Sequence, residues 1–154
     1  MCYTAYEHIG KRMEIIMEKL QQFFRQKDIE ISGKRYGIDA LGAMAQGLFA
    51  SLLIGTIIST IGERAGIEFL VTIGGYAKAV TGEAMAVAIG YSLHCPPLVL
   101  FSLAAVGHAA NTLGGAGGPL AVLLITILAA ELGKAVSKET KIDIIVTPLV
   151  TIMA

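Results

Sequence analysis

Lys78, Glu83, His94, His108 and Asn111 are the strongly polar side chains of an otherwise apolar stretch between Phe69 and Leu113. Such groups are costly away from water and face a cavity or a partner, so they are the first candidates for binding a solute or relaying a proton. Lys78 and Glu83 are five residues apart, which on a regular helix turns them about 140° away from each other. They can pair only if Thr81-Gly82 unwinds the helix. Otherwise Lys78 snorkels outward and Glu83 sits near water. His94 and His108 are candidate proton relays or ligands, but His94 falls at a helix boundary and His108 has no acidic residue at close sequence spacing, so plain hydrogen-bonded histidines are the simpler reading.

Asn111 and Thr112 open the stretch NTLGGAGGPL, which holds Gly114, Gly115, Gly117 and Gly118. The dinucleotide pattern GxGxxG fails because position 120 is Leu, and GxxxxGK[ST] fails because no lysine stands at the required place. Two readings remain. The glycines make a tight turn between antiparallel helices, with Pro119 opening the second, or the break lies at membrane depth and its free backbone groups line a cavity for a polar solute. The candidate binding set is therefore Lys78, Glu83, His108, Asn111, Thr112, Gly114, Gly115, Gly117 and Gly118.

No serine-histidine-aspartate set, paired catalytic carboxylates or metal-ligand spacing occurs, so a self-contained hydrolase or metalloenzyme is not supported, and no metal or cofactor is expected. Cys2 and Cys95 form neither a CxxC nor a disulfide framework. Basic and acidic residues alternate, leaving no basic stripe for nucleic acid.

Composition names the solvent. Apolar residues make up 55% of the 154-residue chain and charged ones 16%, with a mean hydropathy of +0.69, too little polar surface to cover a globule of this size. Seven of the twelve Lys/Arg and five of the twelve Asp/Glu lie in residues 1–35. The charged segment has no apolar h-region with a cleavage site, so insertion uses an internal span. Ile9, Met13, Ile16, Met17, Leu20, Phe23 and Phe24 recur at helical spacing, with Lys11, Glu14, Glu18 and Arg25 outside the stripe. This amphipathic helix (residues 1–35) lies in the membrane interface, docks on a partner or covers its own protein.

Residues 36–154 read as a transmembrane domain. Ala40 to Ile61 is an uncharged run of 22 residues, enough for the ~30 Å hydrocarbon core. Gln46 is its one strongly polar side chain, suited to interhelical hydrogen bonding or, less commonly, to contact with a solute, and Asp39 suits a helix N-terminus. Within the run Ala43, Gly47, Ser51, Gly55 and Ser59 form a small-residue ridge that lets another helix approach closely. Ala84 to Ala130 is 47 residues without a charge, too long for one crossing, and it breaks at His94-Cys95-Pro96-Pro97 and at the glycine cluster. The spans are about 40–61, 69–93, 96–113 and 119–136. An even count places the early Lys/Arg cluster and Lys134, Lys138 and Lys141 on one cytoplasmic side, N-terminus included, and a three-span reading does not. Residues 144–154 look like the start of a fifth span, an interfacial or re-entrant end, or the front of a longer bundle. The expected class is an all-α, polytopic transmembrane helix bundle with an N-terminal amphipathic helix.

The wording of KRYGIDALGAMAQGLFASLLIGTII (34–58), AMAVAIGYSL (84–93), PPLVLFSLAAVG (96–107), NTLGGAGGPLAVL (111–123) and SKETKIDIIVTPLVTI (137–152) resembles bacterial phosphotransferase-system enzyme IIC proteins, a family that includes membrane proteins named as regulators of the perfringolysin toxin. The resemblance covers nearly everything after about Asp28. It implies a permease subunit of the bacterial cytoplasmic membrane that moves a sugar while a separate enzyme IIB donates the phosphoryl group, so the histidines and Cys95 need not carry phosphate. Family members run to roughly twice this length, which makes the chain correspond to an N-terminal half. The GITE-type motif of glucose-type members does not occur, and no particular sugar is implied. Expected partners are membrane lipid, a sugar, enzyme IIB and further copies of the chain. The alternatives are a sensor or regulator of the same family that moves no solute, and a structural homo-oligomer packed through the Ala43–Ser59 ridge.

Overall fold

The computed structural model describes residues 14–23, 25, 33–137 and 143–154. The chain divides into two compact units, 1–30 and 31–154. In the first, residues 14–23 are helical, and Ile16, Met17 and Leu20 of the apolar stripe are exposed. Ile9, Lys11, Met13 and Phe24 lie outside the described residues.

The second unit is all-α, as its composition requires. One long helix, α1, runs over Lys34–Ala65. It ends where Gly66 takes a left-handed φ of 70° and returns its N–H to the Gly62 carbonyl, a glycine-terminated helix end. The chain then reverses through α2 (Glu68–Ala79) and α3 (Thr81–Ser92), separated only at Val80. After Pro96, α4 covers Pro97–Gly114. A single 3-10 turn, Gly115–Gly117, leads into α5 (Gly118–Val136), and α6 covers Asp143–Met153 with Pro148 inside it.

Two expectations need correcting. Asp39 does not start a helix: the chain is already helical from Lys34, because a π-turn over Lys34–Asp39 feeds directly into Ala40–Leu48. The stretch 69–93 is not one regular helix, because Val80 leaves the α region (φ −91°, ψ 20°) while the Thr81 hydroxyl donates to the Lys78 carbonyl at 2.6 Å.

The core is built from α3, α4 and α5. Met85, Ile89, Leu93, Val99, Leu103, Val122 and Ala129 are fully buried there, and α6 packs Thr147 and Thr151 against the same group. The perimeter is apolar as well: Leu52, Ile57, Phe69, Phe101, Leu124 and Leu128 are all exposed. Large apolar side chains around the outside of a helical unit require a lipid solvent. The bundle is a membrane protein fold.

The small-residue ridge is used within the chain. A Cβ on Gly47 would stand 2.5 Å from the Ala84 carbonyl of α3, and one on Gly55 2.9 Å from the Gly74 carbonyl of α2. Ala43, Ser51 and Ser59 are buried along the same line. The ridge thus seats α2 and α3 of the same chain, and is not open to the ridge of another copy.

Candidate functional site

Two departures from regular helix, one in α1 and one between α2 and α3, meet at one level of the bundle. Between its two regular stretches, α1 opens into a π-turn over Phe49–Leu53, where the Ser51 hydroxyl donates to the Gly47 carbonyl at 2.8 Å. This widened turn lies against α2 and α3 around their break. Local π-turns and broken helices free backbone groups and re-aim side chains, which is why they concentrate at binding sites.

Glu83 stands in the first turn of α3, just past that break. Its Oε1 meets His108 Nδ1 of α4 at 2.7 Å. The pair exists because Gly82 and Gly107 let the two backbones touch: a Cβ on Gly82 would lie 2.5 Å from the Gly107 carbonyl and 2.6 Å from the Asn111 Cβ. Asn111, one turn beyond Gly107, presents its Oδ1 to Gly118 of α5, 2.6 Å from where a Cβ would be. Glu83, His108, Asn111 and Gly118 therefore converge from three helices. The second carboxylate oxygen of Glu83 is buried and makes no hydrogen bond, while the His108 side chain is 64% exposed. A buried acceptor without a partner, beside an accessible imidazole and an amide, is a site short of one hydrogen-bond donor.

Other members of the expected set lie elsewhere. Lys78 turns toward α1, its stem packed against Gly55, so the five-residue offset keeps it apart from Glu83 despite the break. Thr112 is exposed. Gly114 packs on Ala121, whereas Gly115 and Gly117 have open space around them at the tip of the α4–α5 hairpin. Gly115, at φ 51° and ψ −123°, supplies the conformation that closes this tip. The glycine cluster is a tight helical turn.

Two polar arrangements were not anticipated. Gln46 is exposed and not packed between helices; with Asp39, Tyr91 and Ser92 it lines an open cavity of about 730 Å³ between α1 and α3. At the end of α3, Arg35 Nη2 donates to the Leu93 carbonyl at 3.0 Å, and Lys134 Nζ donates to the same oxygen at 3.3 Å. Lys134 is 1% exposed and lies 3.0 Å from Glu131 Oε1. That approach has ion-pair distance but not hydrogen-bond geometry. His94, at φ 55°, places Nδ1 3.3 Å from Arg35. The cluster ties the starts and ends of α1, α3 and α5 together at one end of the unit. Lys138 and Lys141 lie outside the described residues. No group of three metal-ligating side chains occurs among the described residues.

A family model described as "Phosphotransferase system, EIIC" matches residues 38–154. The chain belongs to the phosphotransferase-system enzyme IIC family. The match covers the entire described bundle beyond the first turn of α1, and so the Glu83–His108 junction is part of the enzyme IIC domain. The match stands at the level of the family and does not assign a branch within it. No curated protein and no solved structure matches the chain. Membership gives this enzyme IIC chain its setting: a membrane component of a phosphotransferase system, with lipid around it and an enzyme IIB component as partner.

Proposed function

We propose that this chain is the permease part of a sugar phosphotransferase system, and that Glu83, His108 and Asn111 hold the sugar while a phosphorylated enzyme IIB acts from the cytoplasmic side. The observation that carries this reading is the unsatisfied carboxylate oxygen of Glu83, buried beside His108 at a broken helix. A sugar hydroxyl is a donor that also accepts, so one hydroxyl can give its proton to Glu83 and a neighbouring one can receive from His108 or the Asn111 amide. The carboxylate makes such hydrogen bonds charge-assisted and roughly twice as strong as neutral ones. Uncharged surroundings strengthen them further.

Orientation follows from charge. Lys34, Arg35 and Lys134 stand at the end of the bundle where α1 starts and α5 finishes, and basic residues mark the cytoplasmic side. Enzyme IIB would therefore meet the molecule at this end. The experiment is a thermal-shift screen of the purified chain in lipid nanodiscs against a broad panel of mono- and disaccharides. One sugar or a small related group should raise the unfolding temperature, and a Glu83→Gln variant should lose that shift. A flat response to the whole panel, or an undiminished shift in the variant, contradicts the proposal.

A further inference from the structure

The open cavity of about 730 Å³ between α1 and α3 belongs neither to the Glu83–His108 junction nor to the Arg35–Lys134 cluster. Small side chains make it: Gly42, Ala43 and Ala50 on α1 and Ala84 and Ala88 on α3. Polar groups line it as well. The Ser92 hydroxyl is already given to the Ile89 carbonyl at 2.9 Å. Asp39, Gln46 and Tyr91 are all exposed, and among the described residues none of their side chains makes a hydrogen bond or an ion pair.

Their levels in the membrane follow from α1. Asp39 and Glu63 bound its uncharged run, and the 24 steps from residue 39 to residue 63 set them about 36 Å apart. The hydrocarbon core is about 30 Å thick, so Asp39 stands about 3 Å outside it, among lipid headgroups. Tyr91 is level with Asp39, because Gly47 meets Ala84 and Arg35 reaches the Leu93 carbonyl; an exposed phenol suits that boundary. Gln46 starts about 10 Å deeper than Asp39. Helical side chains lean toward the helix N-terminus, which here is the near boundary, so its amide reaches back toward the edge of the hydrocarbon.

An amide in an apolar wall is costly until it finds a partner. The backbone of another helix offers none, since its groups are bonded within that helix. The ester carbonyls of a phospholipid are unpaired acceptors at the level the Gln46 amide reaches. We propose that the cavity holds one phospholipid whose headgroup carries a primary amine, in the leaflet on the Arg35–Lys134 side. Asp39 pairs with the ammonium, the Tyr91 phenol donates to the phosphate, the Gln46 amide donates to an ester carbonyl, and an acyl chain lies along Ala50, Ala84 and Ala88. Nothing lies within 4 Å of a Cβ on Gly42, which leaves room for the glycerol between the two polar levels. The Asp39 carboxylate selects the headgroup. An ammonium gives it charge-assisted N–H bonds, whereas a trimethylammonium has no N–H and a glycerol headgroup brings no cation. The lipid site does not rest on the function proposed above.

The test is native mass spectrometry of the full chain released from nanodiscs made of equal parts dioleoyl phosphatidylethanolamine, phosphatidylcholine and phosphatidylglycerol. The wild type should retain the ethanolamine lipid about fivefold more than either of the others, the scale of one partly exposed ion pair. Asp39→Asn should bring the three lipids to parity. Gln46→Leu should retain less of all three, since every one of them carries the ester carbonyl. Equal retention by the wild type, an undiminished preference in Asp39→Asn, or undiminished retention in Gln46→Leu overturns the proposal. A dimer that carries no lipid puts a second copy in the cavity and overturns it as well. Retention needs neither sugar nor enzyme IIB, so a failed sugar screen leaves the lipid site standing, and a failed lipid preference leaves the transport reading standing.

Discussion

Gly107 and Gly82 hold the Glu83–His108 pair in place by having no side chain. Any Cβ at either position meets the backbone of the facing helix, so Gly107→Val should lower thermal stability by about 1–3 kcal/mol as an overpacked interface. The control is Gly37→Ala, where nothing lies within 4 Å; unfolding followed by tryptic cleavage in detergent compares the two. A second prediction concerns Lys134, which gives Glu131 its one ionic contact among the described residues. Lys134→Met leaves that carboxylate alone in a mostly buried place and should destabilise by about 1–3 kcal/mol, with much of the loss recovered when Glu131→Gln is added. Equal stability of the single and double variants would show that the pair is not coupled. The Glu83–His108 pair was hidden in the sequence because its members are 25 residues apart and meet only when α3 and α4 are neighbours. One signal was available: each follows directly on a glycine, Gly82 and Gly107, that opens a close helix approach.

At the scale of elements, the hairpins were largely legible. Pro96-Pro97 and the GGAGGP cluster divide the long uncharged run where α4 and α5 begin and end, because proline opens a helix and glycine closes one. The Val80 break was half legible: Thr81-Gly82 marked where the helix could unwind, but Val80 itself carries no breaker and Gly82 lies inside α3. The π-turns of α1 left no pattern in hydropathy at all. The one over Phe49–Leu53 lies within the small-residue ridge, where Ser51 binds its own helix. The hairpin tip gives a third prediction. Gly115 sits at φ 51°, ψ −123°, a region that costs other residues on the order of 1–3 kcal/mol. Gly115→Val should therefore destabilise the α4–α5 hairpin, while Gly117→Ala at φ −95° should not. Differential scanning fluorimetry of the two purified variants separates them.

For the whole molecule, one polarity organises the parts: basic clusters and helix ends at the Arg35–Lys134 side, a charged α1–α2 turn opposite, and the polar junction between. A single cysteine in place of Arg64 should react with an impermeant maleimide in intact cells, and one in place of Lys34 only after permeabilisation; the opposite pattern inverts the orientation. The apolar character and helical class were legible from composition, because 55% apolar residues cannot be hidden inside 154. The central claim is that Glu83 and His108 hold a sugar and that Lys78, turned toward Gly55, does not. It is tested most directly by equilibrium binding of the sugar identified in the nanodisc screen to Glu83→Gln, His108→Ala and Lys78→Met. Loss of a charge-assisted hydrogen bond predicts about a ten- to hundredfold weaker affinity for the first two and unchanged affinity for the third. Wild-type affinity in Glu83→Gln, or a loss confined to Lys78→Met, would contradict it.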